Sequence, residues 1–143
     1  MIAEPGQLCS VAELIKAGIE GGIAQVKSAG SPLHPLLLDD RGKMMILYDE
    51  TGEDPIELAC AAIKSHAPAT TCCVLVIDTR LTLQDGKKWD AIVAMGCHRG
   101  SDVGEMLAQR YVPKGMFRKF RTEGEAERIG KSKDFITLAL SDA

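Results

Sequence analysis

Residues 71–97 read TCCVLVIDTRLTLQDGKKWDAIVAMGC, two apolar runs rich in β-branched residues that are separated by Gln84-Asp85-Gly86. Apolar, β-branched runs of this length are typical of β-strands. An Asp-Gly pair between two such runs is the strongest short signal for a hairpin turn. The stretch therefore predicts an antiparallel β-hairpin, and the rest of the fold is built around it.

The N-terminal part of the chain carries the clearest helix pattern. In residues 10–27, SVAELIKAGIEGGIAQVK, apolar residues recur at i, i+3 and i+4, and Ser10 with Glu13 forms a capping box. Three glycines at positions 18, 21 and 22 each weaken a helix by about 1 kcal/mol relative to alanine. Their presence indicates that another backbone approaches the helix closely.

A second hairpin and a second helix follow. Apolar runs at 36–38 and 44–48 flank DDRG, which predicts a β-hairpin with a four-residue loop. Asp54 is then an N-cap candidate, and Pro55 suits the first helical position. We expect a helix over residues 55–66 because Pro68 disfavours helical geometry just before it.

The C-terminal half is less decisive. Residues 102–111 fit a short helix by local propensity, but a strand over 106–112 would satisfy the exposed edge of the preceding strand, and we favour that strand. From residue 113 onward the chain is less regular, and FITLAL at 135–140 is interpreted as one more strand or a docked segment.

The predicted fold is a single α+β domain over residues 1–143. Its antiparallel sheet consists of two hairpins and a favoured fifth strand, and the helices at 10–27 and 55–66 pack on it. The segment 113–143 is expected to be less regular. A chain of 143 residues with 45% hydrophobic residues is long enough and apolar enough for one core.

Composition limits the class of protein and its compartment. Five cysteines are an odd number and do not suggest a secreted disulfide framework, so we expect reduced thiols and a cytoplasmic location. We see no signal peptide, and no apolar stretch reaches the roughly 18–20 residues of a spanning helix. The net charge is −3, so we do not expect the chain as a whole to bind nucleic acid. The sequence lacks metal-ligand spacings and cofactor motifs, so we expect neither a bound metal nor a cofactor.

The chain resembles small bacterial and phage-type α+β domains for which no activity is known. The similar stretches are PLLLDDRGKMMIL, DPIELACAAIKSH and CCVLVIDTRL…DAIVAMGCHRG, which together span about residues 33–112. The element order is also similar to that of roadblock and longin-type modules, α-β-β-α-β-β-β scaffolds for protein–protein contact. The resemblance implies a fold but no activity, because function does not follow from fold.

One pair of side chains suggests chemistry. If Asp85-Gly86 is the centre of a two-residue turn, the numbers of opposed residues sum to 171, and Cys73 faces His98. Such a pair could lower the pKa of the thiol and make Cys73 a nucleophile, with Arg99 nearby on the other face. The alternative is a buried thiol beside a histidine at a strand end.

The second candidate site is the basic stretch KGMFRKFR. Its cations are Lys114, Arg118, Lys119 and Arg121, interleaved with aromatic residues. This pattern could contact an acidic partner or a nucleic acid. Alternatively, Met116, Phe117 and Phe120 dock on the core and the cations stay solvated.

Two functions are consistent with these features. The first is a non-catalytic protein-interaction module, self-associating through a sheet edge or through the glycine-rich helix. The second is a small thiol-dependent enzyme or redox protein that uses Cys73 and His98. We favour the first because the sequence contains no convincing catalytic set.

Overall fold

The computed structural model describes residues 10–30, 33–48, 54–66, 70–100, 104–132 and 134–140. These residues form an antiparallel sheet with helices on both of its faces, which confirms the predicted α+β class. The elements, in chain order, are α1 (Val11–Ala29), β1 (Leu36–Asp39), β2 (Met44–Ile46), α2 (Pro55–His66), β3 (Cys72–Thr82), β4 (Lys88–His98), β5 (Glu105–Val112), β6 (Arg121–Gly130) and α3 (Phe135–Leu140).

The six described strands have the order β2-β1-β3-β4-β5-β6, and all neighbours are antiparallel. From β3 to β6 the sheet is a meander in which each strand pairs with the next in sequence. Only the step from β2 to β3 crosses the sheet, because β3 pairs with β1, and α2 lies within that connection. The long hairpin β3–β4 is therefore the centre of the sheet.

Helices cover the two faces of this central hairpin unequally. On one face α1 packs Leu14, Ile15 and Ile19 against Val74, Val76 and Ile92, among others. On the other face α2 and α3 enclose a second cluster that includes Ile63, Phe135, Leu75 and Val93. Both faces of residues 72–76 of β3 and of residues 91–97 of β4 are consequently buried, which explains why these two stretches are continuously apolar rather than alternating.

The glycines of α1 set how closely this helix lies on the sheet. A Cβ atom at Gly18 would lie 2.8 Å from a methyl carbon of Val76, and one at Gly22 would lie 2.8 Å from a methyl carbon of Ile92. The close approach predicted for these glycines thus exists, but the nearest groups are strand side chains rather than another backbone. This glycine stripe is occupied by packing within the chain.

The turn of the central hairpin corrects the predicted register. Gly86 has φ +82°, and no described non-glycine residue has positive φ, so Asp85 and Gly86 cannot form the type I′ turn that a two-residue loop favours. Instead Leu83 pairs with Lys87 around a three-residue loop, in which the amide of Gly86 donates to the carbonyl of Leu83 at 2.9 Å.

The extra loop residue shifts every pair of the hairpin by one position. Cys73 lies opposite Cys97, and His98 lies opposite Cys72. The predicted pairing of Cys73 with His98 is therefore wrong.

The first hairpin uses the same type of loop, although four loop residues were expected. Asp39 pairs with Lys43 around residues 40–42, and Gly42 has φ +79°. The carboxylate of Asp39 accepts hydrogen bonds from the amides of Arg41 and Lys43, both at 2.9 Å. This aspartate therefore shapes a turn, as short polar side chains at turn positions commonly do.

The C-terminal part is more regular than the sequence indicates. The favoured strand over 106–112 is present as β5, but the chain then adds β6, which the sequence did not reveal. FITLAL forms the helix α3 instead of a strand, and it docks through Phe135 and Ile136, which are fully buried. Asp134 caps this helix by accepting from the amide of Thr137 at 3.0 Å, and it also accepts from the amide of Gly100 at 2.7 Å.

Candidate functional site

The predicted nucleophile Cys73 lies in the packed interior beside Cys97. Both side chains are 0% exposed. Burial, followed by its hydrogen bond to Cys97, raises the pKa of the Cys73 thiol far above its usual range. The hydrogen bond from Cys73 lowers the pKa of Cys97, against the effect of burial, and the amides of Ile136 and Phe135 act in the same direction. A buried thiol whose pKa is raised stays protonated, which is the opposite of what a nucleophile requires.

The other members of the predicted thiol site lie elsewhere. His98 is exposed and belongs to the opposite face from Cys73, because successive residues of a strand alternate in direction. Its ring Nδ1 lies 3.0 Å from the carbonyl oxygen of Arg99. Arg99 continues the strand pairing through its amide, which donates to Thr71, and its side chain is exposed. The structure therefore does not bring Cys73 and His98 together.

The basic stretch of the tail, by contrast, is part of a larger feature. A cleft of about 710 Å³ opens where the turn end of the β3–β4 hairpin meets the loop between β5 and β6. We call it the basic cleft, and its lining residues are Arg80, Lys87, Lys88, Trp89, Asp90, Tyr111, Val112, Pro113, Arg118, Lys119 and Arg121. Six of these side chains are cationic, and all six are exposed.

A buried aromatic contact holds the β5–β6 loop at the cleft. Phe120 stacks on Tyr111 with ring centroids 5.6 Å apart. The hydroxyl of Tyr111 donates to the carboxylate of Asp78 at 2.7 Å, and this carboxylate also accepts from the amide of Leu33 at 2.9 Å. Phe120 therefore docks as the sequence suggested, whereas Met116 and Phe117 are 90% and 93% exposed and do not dock.

The electrostatics of the basic cleft are dominated by positive charge. Asp90 is the one carboxylate among its lining residues, and Arg121 forms an ion pair with Glu123. The guanidinium of Arg110 lies 5.1 Å from the centre of the Trp89 ring, a cation–π distance. Cations that share one concave surface attract acidic groups more strongly than the same charges spread over a surface.

The sequence revealed only half of this site. Arg118, Lys119 and Arg121 were predicted, and the structure brings them together with Arg80, Lys87 and Lys88, which were not. Lys114 lies in the same loop but outside the lining. Arg99 follows the other end of β4, away from the cleft. Lys87 and Lys88, which directly follow the Asp-Gly turn, were a sequence signal for a basic site. Their position next to the basic stretch 114–121, however, depends on the pairing of β4 with β5.

Within the described ranges no group of three or more histidine, cysteine, aspartate or glutamate residues is arranged to hold a metal ion. None of the helices in these ranges is long and apolar enough to cross a bilayer.

Comparison with known proteins adds no relative. The chain matches no protein-family model, no curated protein and no solved structure.

Proposed function

We propose that this protein is a non-catalytic interaction module whose basic cleft binds an acidic segment of a partner protein. The observation that carries the proposal is the convergence of six exposed cations, from two separate parts of the chain, on one cleft of about 710 Å³. Charge complementarity of this kind steers a partner to the site and sets specificity. Support also comes from the thiols, since the predicted catalytic pair does not form.

A protein segment suits the cleft better than a nucleic acid strand does. Proteins that bind single strands offer free aromatic faces on which bases stack. Here Arg110 already lies over Trp89, and Tyr111 is buried beneath Phe120. The chain as a whole is negative, with a net charge of −3, so a long polyanion would be repelled outside the cleft.

Binding of a fluorescein-labelled oligoglutamate peptide, followed by fluorescence anisotropy, tests this proposal. We expect binding that weakens as salt rises, because exposed charges are screened over about 8–10 Å at physiological ionic strength. The double variant Lys87→Ala/Lys88→Ala should weaken binding by roughly two- to 30-fold, from about 0.2–1 kcal/mol for each exposed cation. The matched control, Lys27→Ala/Lys64→Ala, removes two exposed lysines from the helices and should bind as the wild type does.

Two results would overturn the proposal. The first is equal loss of binding in the cleft variant and in the helix control, which would show that only net charge matters. The second is binding of a single-stranded oligonucleotide but not of the peptide, which would identify a nucleic acid as the partner.

A further inference from the structure

The loop between β5 and β6 presents two apolar side chains to solvent beside the basic cleft. Reciprocal backbone hydrogen bonds join Gly115 and Arg118, at 2.9 Å from the Gly115 amide and 3.4 Å from the Arg118 amide. They close a tight turn with Met116 and Phe117 at its tip, 90% and 93% exposed. We call these two residues the apolar apex.

Such exposure is unusual for side chains of this kind. Phe and Met gain most from removal from water, and aromatic residues with Met are enriched in the buried centres of protein interfaces. Aromatic residues make up only 4% of this chain, so the placement of one of three phenylalanines at a loop tip stands out. Lys114, Arg118 and Lys119 surround the apex with positive charge, and we call these three residues the basic collar.

A concave apolar surface lies on the α1 side of the same sheet. A groove of about 390 Å³ opens between α1 and β5–β6, because α1 lies over the central strands and leaves these two strands partly uncovered. We call it the α1–β5 groove, and its apolar walls come from Ala12, Ile15, Ile19, Leu107 and Ala126. Lys16, Glu20 and Gln109 complete the lining.

We propose that the apolar apex of one copy of this chain inserts into the α1–β5 groove of a second copy. The contact joins a convex apolar surface to a concave one, and both are present on every copy. The charge distribution also favours this contact between two copies. Four of the 17 basic residues lie in 114–121, so the remaining chain, with 13 basic and 20 acidic residues, is acidic. The basic collar of one copy is thus attracted to the acidic body of the next.

The same charge distribution argues against the other occupants of the apex. An anionic bilayer would attract the collar but repel the acidic body of the chain. The β6 edge of the sheet is a poor alternative for self-association, because β6 is charged and bulged, which are features that protect an edge from pairing. The other edge strand, β2, is only three residues long and offers few backbone groups to a partner strand. The glycine stripe of α1 is also occupied, since it faces Val76 and Ile92.

Sedimentation velocity over a range of protein concentrations tests the proposal. The wild type should associate as its concentration rises. The apex variant Met116→Ser/Phe117→Ser and the groove variant Ala12→Arg/Ala126→Arg should each raise the dissociation constant by at least about tenfold, as expected when central interface anchors are lost. The control Ala24→Arg/Ala61→Arg carries the same change at exposed helix positions outside the groove and should associate normally.

Mixing the two defective variants gives the sharper test. The apex variant keeps its groove and the groove variant keeps its apex, so a contact of unlike surfaces predicts that the mixture forms dimers of one copy each. An interface of like surfaces, such as paired strands, would give no rescue. All variants alter exposed residues, and unchanged thermal unfolding by circular dichroism verifies that they fold.

Three outcomes would overturn the proposal. One is a wild-type protein that remains monomeric at every concentration. Another is self-association that neither variant weakens. The third is a monomer that binds phosphatidylserine vesicles through Phe117, which would make the bilayer the occupant of the apex.

Discussion

Gly22 of α1 provides a sharp test of how the helix is seated on the sheet, because Gly21 beside it is a natural control. In Gly22→Ala the new methyl group would lie 2.8 Å from a methyl carbon of Ile92 and 2.9 Å from one of Val76. Both neighbours are 0% exposed and belong to the central hairpin, so they have little room to move. In Gly21→Ala the nearest atom is the terminal methyl of Met44 at 3.0 Å, the far end of a flexible side chain.

The two substitutions are expected to change the free energy of unfolding by different amounts. Replacing glycine by alanine in a helix stabilises by about 1 kcal/mol at either position. Forcing an extra methyl group into a packed core costs about 1–3 kcal/mol, and this applies only at Gly22. Gly21→Ala should therefore stabilise by up to about 1 kcal/mol, whereas Gly22→Ala should be neutral or destabilising by up to about 2 kcal/mol.

Urea denaturation monitored by circular dichroism measures the difference between the two variants. We expect a gap of about 1–3 kcal/mol at an unchanged slope of free energy against urea, which corresponds to roughly 3–10 °C in Tm for a domain of this size. Equal stabilisation by both substitutions would refute the packing of α1 on β3 and β4, because it would mean that Gly22 faces open space.

Three further predictions concern the core and its polar contacts. Cys73 and Cys97 should resist iodoacetamide at neutral pH and react only after unfolding, as peptide mass spectrometry can measure; native labelling of Cys73 would contradict its burial. Burial opposes ionisation of Asp40, but hydrogen bonds from its neighbouring threonines lower the pKa of this carboxyl. The ionised Asp40 therefore stabilises the fold fully above a carboxyl's unfolded pKa near 4, and this contribution is lost as the pH falls. Asp40→Asn should flatten the fall in the free energy of unfolding on acidification, and an unchanged acid profile would contradict a stabilising role of the Asp40 carboxylate. Tyr111→Phe removes the 2.7 Å bond to Asp78 and should destabilise by about 1–3 kcal/mol in urea, whereas a neutral effect would exclude a contribution from that bond.

The sequence alone determined most of the secondary structure, because local signals encode it. The capping box at Ser10, the cap and proline at Asp54-Pro55 and the Asp-Gly pair each act within a few residues. They predicted α1, α2 and both hairpins. The strand β5 followed from the need of an exposed strand edge for a partner. By contrast, β6 is exposed at nearly every position and half of its residues are charged, so it carries no apolar alternation that a sequence could reveal.

The register and the candidate sites depended on tertiary structure. A left-handed Gly86 fits a two-residue or a three-residue loop equally well in sequence, yet one extra loop residue moves Cys73 from His98 to Cys97. The basic cleft likewise joins Arg80 and the lysines at the turn to Arg118 through the pairing of β4 with β5, across a sequence separation that no local pattern spans. Local signals thus fixed α1, α2 and the two hairpins, whereas the packed sheet decided β5 and β6 and which side chains share a face.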